Sequence, residues 1–363
     1  MSSLKIQTLE DVWDGRNNNF NLLRMIGALL IMFAHAMFVI IGDDISFERY
    51  PLAYTFGMTT LNLFFVLSGL LVTASWLHRQ NLIGFAVARV LRIIPGLMVV
   101  AFVCAFVIGP AVSTVPLDAY FSDLRSWLYW PGTVLLSADL RLPGVFEGLP
   151  NDSEVNAPIW TLKYEAVLYV GVAIAGVMGW FARRLFAGLA VLCLLIYFVI
   201  TFFTDLRSIA AIDHFMHFGY AFLIGSAVHQ FRHLVPIDLR VALFSLALSC
   251  LLVYQFGLQA GEFLLIPSAA LLGLWIAFVP KGRIRAYNMV GDYSYGIYIW
   301  HYPLEQIVRH NFHTVTVLEL YLICLPFVLV VAALSWHFVE RPCLRLKTPV
   351  AEWLKRPLTR GLA

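Results

Sequence analysis

Stretches such as LFAGLAVLCLLIYFVITFF, residues 185–203, are apolar on every side, and nothing else in the chain constrains its fold so tightly. A segment without a polar face has nowhere to meet water, and about 20 apolar residues in a helix cross the ~30 Å hydrocarbon core of a bilayer. Such runs recur at 20–42, 60–79, 90–112, 158–180, 185–204, 211–230, 239–256, 262–280, 291–312 and 316–339. Lipid offers no hydrogen bonds, so a spanning segment must satisfy its own backbone as a helix or join a closed barrel. Barrel strands alternate apolar and polar residues over about ten positions, and these runs do not alternate. The expected fold is all-α, a polytopic integral membrane bundle of about ten transmembrane helices.

Of 363 residues, 60% are hydrophobic and only 13% charged, against about 25% charged in a soluble domain. No polar block is long enough to fold separately. The chain therefore divides into a cytoplasmic N-terminal segment 1–19, a transmembrane domain 20–340 and a basic cytoplasmic tail 341–363. With the N-terminus inside, 18 of the 25 Lys and Arg fall on the cytoplasmic side, five outside and two, Arg24 and Lys163, within spans. The positive-inside rule demands such a bias, so both termini are expected in the cytoplasm. Glu10, Asp11 and Asp14 precede the first apolar run and no small-residue cleavage site follows it, so that run should remain as a helix. The net charge of +3 says little about partners, and five scattered cysteines suggest neither a disulfide framework nor a zinc spacing. The longest connection, 113–157, lies outside and is rich in Pro and aromatics, among them Tyr120, Trp127 and Trp130. It is either a passive aromatic loop or a short surface-lying helix that caps a cavity.

Ionisable side chains inside spans cost several kcal/mol unless they face a polar interior, which makes each a functional candidate. Arg24 and His35 are eleven residues apart in the first span. At about 100° per residue that spacing returns to within about 20° of one helix face, about 16 Å further along the axis. Arg24 sits near the cytoplasmic end, either to hold a donor phosphate or to snorkel as an anchor. His35 lies about midway, a general-base candidate or a hydrogen-bonded packing histidine. Glu165 lies a turn and a half into the fourth span, with a histidine or Lys163 as its natural partner, and His301 lies about ten residues into the ninth. Each of the two serves the chemistry or locks helices together. Arg89 and Arg92 open the third span, as phosphate clamps or headgroup anchors. His229 and His233 have an i, i+4 spacing without the carboxylate of a metal motif and read as solvated charge. Ser68-Gly69, in an apolar helix, reads as a site of close helix packing.

Together these residues resemble the membrane-bound acyltransferase family 3. NNFNLLRMIGALLIMFAH carries an Arg-x10-His in the first span, LNLFFVLSGLL is similar to the second-span signature, and ARVLRIIP to an Arg-x2-Arg element. APIWTLKYEAVLY, YSYGIYIWHYPL and HFVERP follow in the family's order, so the likeness runs from about Asn18 to Arg345. Asn62 stands where an acidic residue is common and Leu70 where an aromatic is, departures that bear on substrate detail. The chain stops soon after the tenth span, so the hydrolase-like domain fused to some relatives is expected to be absent.

The resemblance implies an acyl-CoA donor, usually acetyl-CoA, used from the cytoplasm. It also implies an acceptor such as a saccharide or lipid-linked glycan, a location in the bacterial cytoplasmic (inner) membrane, and neither metal nor nucleic acid. On that basis His35 and Arg24 are the essential residues, with Glu165 and His301 assisting. Arg24, Arg89 and Arg92 contact the donor, and Trp160, Tyr298 and Ser68, which lie in the matching segments, contact the acceptor. His35 serves as general base or as transient acyl carrier. A transporter or flippase is the rival reading, but no second copy of the Arg-x10-His helix appears, as paired halves would require.

Overall fold

The computed structural model describes residues 7–14, 17–42, 49–136, 141–150 and 154–360; the basic residues Lys5 and Arg16 lie outside them. Side chains of 258–260 and 356–360 are likewise not described. The order is α1 (Leu9–Val12), α2 (Phe20–Ile41), α3 (Pro51–Arg79), α4 (Leu82–Val103), α5 (Leu117–Ser122), α6 (Leu124–Val134) and α7 (Leu162–Val177). It continues with α8 (Arg183–Phe203), α9 (Ala210–Gln230), α10 (Leu239–Phe256), α11 (Leu258–Phe278), α12 (Ser294–Asn311), α13 (Val317–Ser335) and α14 (Lys347–Arg360). The protein is a polytopic helical membrane protein. Among the described residues only isolated bridges, such as Thr8 with Pro236, replace strands.

Among the described residues eight helices are long and apolar enough to cross a membrane. The other two apolar runs are present as helices, α9 and α12, which are more polar, with Asp213 and His217 in one and His301, Glu305 and Gln306 in the other. Two starts were placed too late. α3 begins at Pro51, where proline suits the first turn of a helix, and α4 begins at Leu82, where the Asn81 side chain accepts from the Gly84 N–H at 3.3 Å. Arg89 and Arg92 therefore lie two to three turns inside α4 and do not open it.

The chain forms two compact units. The first comprises Met1–Gly27, Thr55–Gln80 and Val167–Gly291. Its core gathers Leu9, Phe20, Leu23, Leu67, Leu274 and Phe278, and the Asn19 amide ties the start of α2 to α11 by donating to Ile276 O at 3.0 Å and Pro280 O at 2.9 Å. Gly257, at φ +82°, ends α10 and lets the chain reverse into α11. The backbones of α3 and α9 approach closely. A Cβ on Gly69 would lie 2.0 Å from Phe222 O, and one on Gly225 only 1.9 Å from Val66 O; Thr73 Oγ1 donates to Ser226 Oγ at 2.9 Å beside them. Small residues that let backbones meet are the usual adhesive between helices in lipid, as the Ser68-Gly69 pair suggested. Gly225→Ala puts a methyl into backbone, and a destabilisation of about 1–3 kcal/mol is expected. Thermal unfolding in detergent reads it; an unchanged midpoint would mean that the helices are not this close.

The second unit comprises Ala28–Tyr54, Asn81–Ala166 and Asp292–Ala363. Here Tyr295 and Ile299 of α12 fill the notch left by Gly96 on α4, and Gly296 lies against Ala332 of α13. Tyr295 Oη donates to Ile93 O at 2.6 Å. Two π turns extend helices: Cys104–Ile108 after α4 and Trp336–Glu340 after α13. In the first, the Ala105 carbonyl accepts the Tyr120 hydroxyl at 2.7 Å. The long connection at 113–157 is thus not a free loop. It holds α5 and α6, and Trp130 Nε1 donates back to Met98 O of α4 at 2.9 Å.

Candidate active site

Two histidines meet in the second unit. His35 Nδ1 lies 3.0 Å from Ile31 O, one turn back on α2, and His301 Nδ1 lies 3.0 Å from Ile297 O, one turn back on α12. His301 Nε2 is 3.2 Å from His35 Nδ1, with the rings at 5.0 Å and 49°. A carbonyl only accepts, so each Nδ1 facing one carries hydrogen when the ring is neutral. His301 Nε2 is then a lone pair and accepts from His35 Nδ1–H, which Ile31 O shares. That leaves His35 Nε2 as an unprotonated nitrogen. The pair is thus a one-way chain of N–H groups ending in a base. His301 is fully buried and His35 half-buried, and the Tyr302 ring stands edge-on to His35 at 5.8 Å.

The surroundings of His301 are built by the 3-10 turn Ala157–Thr161, which precedes α7. Tyr298 Oη, one turn before His301 on α12, pairs with Thr161 Oγ1 at 2.5 Å and donates to Pro158 O. The Asn156 amide donates to Ile299 O at 2.9 Å. Glu165 lies in the first turn of α7, and the Tyr298 ring lies 6.2 Å from that of His301. Lys163 does not serve as a buried partner for Glu165; it is exposed, with its ammonium over the Tyr164 ring at 5.1 Å. The Trp160 indole packs edge-on against Tyr164 at 5.7 Å.

The arginines behave differently from one another. Arg24 is half-buried on α2, eleven residues before His35 on the same unbroken helix. Arg89 lies over the Phe85 ring at 5.7 Å. Arg92 is held inside the protein: Nη2 contacts Asp292 Oδ2 at 2.7 Å, Nη1 lies 3.7 Å from Glu340 Oε2, and the guanidinium covers the Tyr295 ring at 5.5 Å. Ser294 donates to Asp292 at 2.5 Å and Ser335 to Glu340 at 2.9 Å, so the carboxylates are themselves fixed. Ser68 Oγ, in the first unit, donates to Tyr169 Oη at 3.3 Å.

Three features escaped the sequence reading. Glu305, one turn beyond His301 on α12, is fully buried with neither carboxyl oxygen hydrogen-bonded; the His-x3-Glu spacing in the ninth span was the available signal. In the first unit, Glu262 gathers His217 Nδ1 at 3.2 Å, Arg207 Nη2 at 3.6 Å and Tyr197 Oη at 3.4 Å, while Arg207 Nε meets Asp213 at 2.5 Å. Only folding assembles that cluster, because its members come from α8, α9, α11 and the α8–α9 connection. His229 is not solvated charge but 8% exposed, against Trp13 at 5.5 Å. Among the described residues no three His, Cys, Asp or Glu side chains gather as metal ligands would.

Residues 17–337 match a family described as an acyltransferase domain. The chain is 24% identical to nodulation protein 10 of Rhizobium leguminosarum bv. viciae, over 92% of this chain and 95% of that protein. It is also 24% identical to an O-acetyl transferase of Shigella phage Sf6, over 92% of this chain and 98% of the relative. No solved structure matches it.

Proposed function

Because the chain belongs to the acyltransferase domain family, we propose that it is a membrane O-acetyltransferase that takes the acyl group of cytoplasmic acetyl-CoA. It passes that group to a hydroxyl of a saccharide or lipid-linked glycan on the other side of the bacterial inner membrane. The relative named an O-acetyl transferase supports the class. The excess of Lys and Arg in one set of connections supports a topology of ten spans with both termini in the cytoplasm, where acyl-CoA is made.

The observation that carries the reading is the contact between His35 and His301. On the direct route, His35 Nε2 takes the acceptor hydroxyl proton as the oxygen attacks the thioester carbonyl. The CoA thiolate leaves with the electron pair of the C–S bond and recovers that proton from the imidazolium. On the covalent route, Nε2 itself attacks the thioester and CoA leaves as the thiolate; the hydroxyl oxygen then attacks the acyl carbon, the C–N bond breaks with its electron pair returning to Nε2, and the hydroxyl proton neutralises the thiolate. In both, His301 stabilises charge on His35 by accepting its Nδ1–H. Arg24 attracts the anionic donor, Glu165 steadies Tyr298, and Trp160, Tyr298 and Ser68 contact the acceptor.

Mass spectrometry of surface and lipid-linked glycans from cells with and without the gene tests the function. Glycans heavier by whole acetyl units only in cells that carry the gene are expected. Identical glycans in both would overturn the reading.

A further inference from the structure

A cavity of about 710 Å3 in the first unit is lined by Trp13, Ser75, Leu77, His78, His229 and Arg232. It lies where α3 and α9 end, at Arg79 and Gln230, the side that carries most of the positive charge. Its size is that of a small-molecule site, and its chemistry is of two kinds. Trp13 is an aromatic plate, half-buried and braced by Phe278 at 5.5 Å and Phe20 at 6.4 Å. Around it stand three nitrogen-rich side chains. Glu10, 3.4 Å from Arg232, is more than half exposed, and so open an ion pair holds by no more than about 1 kcal/mol. An incoming phosphate can replace it. His229 Nδ1 is buried without a hydrogen-bond partner, and an unpaired buried nitrogen costs about 1–3 kcal/mol until something bonds it.

A planar ring system joined to phosphates answers all of these features. An acyl chain or a lipid tail would not need the Arg232 cation or the imidazole nitrogens, and a metal ion would need a third ligand, whereas no three His, Cys, Asp or Glu side chains gather among the described residues. We propose that this cavity holds the nucleotide head of acyl-CoA, with adenine against Trp13 and the phosphates toward Arg232, His78 and His229. The assignment rests on the acyl-CoA reading above and names its donor site. Two observations support it. Phe20, whose ring lies 6.4 Å from that of Trp13, begins α2, so Arg24 stands one turn into the helix that starts beside the cavity. Arg92, one of the phosphate-clamp candidates, is already engaged by Asp292 and Glu340.

The test uses the full chain in nanodiscs, titrated with CoA and with adenosine 3′,5′-bisphosphate, which is the head without its arm. Wild type is expected to bind both, and Arg232→Gln and Trp13→Leu to weaken each by about tenfold, the loss of one good contact. Because Trp13→Leu also removes packing, wild-type protein is labelled in parallel with an azido analogue of the bisphosphate and its peptides are mapped. Label that CoA competes away from peptides containing Trp13, His78 or Arg232 supports the site. Label at other segments, with unaltered affinities in both variants, overturns it and leaves the donor reading standing. A wild-type protein that neither binds CoA nor consumes acetyl-CoA overturns the donor reading, and this site with it.

Discussion

His35→Ala is expected to fold, insert and bind donor as wild type does, yet to transfer acyl groups about 10²–10⁴-fold more slowly, the usual worth of a positioned general base. The expectation follows from the hydrogens. His35 Nδ1 points at Ile31 O and His301 Nε2, so the ring presents Nε2 as its basic atom, while the lone pair of His301 Nε2 is taken up by the bond between the two rings. Alanine removes that atom and leaves His301 paired to Ile297 O. Single-turnover transfer from radiolabelled acetyl-CoA measures the loss, with thermal unfolding in detergent as the control for folding. Rapid quenching without acceptor separates the two routes, since only the covalent one accumulates label on the protein. Activity within a few-fold of wild type would remove His35 from the mechanism.

The second large effect falls on stability. Arg92→Ala leaves Asp292 and Glu340 as charges with their guanidinium gone, in a site where Glu340 is 1% exposed. Breaking a buried pair from one side costs about 3–5 kcal/mol, far more than the pair's net contribution. The expected result is a sharp fall in folded, detergent-stable protein, partly restored when Asp292→Asn is added to Arg92→Ala. An Arg92→Ala protein of normal stability but with a raised KM for acetyl-CoA would instead return Arg92 to the donor site that the family resemblance implies.

These expectations show what the sequence carried and what it withheld. Among the described residues a helix stands at each of the ten apolar runs, because lipid leaves a backbone almost no alternative. Their starts were missed where an amphipathic turn precedes the apolar run, as at Pro51 and Leu82. His35 and His301 were legible singly, each a costly polar group in an oily helix; their contact joins residues 266 apart and no periodicity announces it. The ion pairs of Arg92 were hidden for the same reason, since its partners lie far away in sequence and one of them sits at the foot of a π turn. Glu262 looked like the edge of a span until three other segments closed around it.

That π turn, Trp336–Glu340, has an evolutionary consequence. It accommodates one residue more than an α-helix would, and a single extra residue rotates everything after it by about 100°. A homologue shorter by one position here would run as plain α-helix and swing its counterpart of Glu340 away from the arginine. Such a protein must either find another carboxylate or give up the guanidinium as well. A one-residue gap at this place should therefore travel through the family together with substitutions at positions 92 and 292.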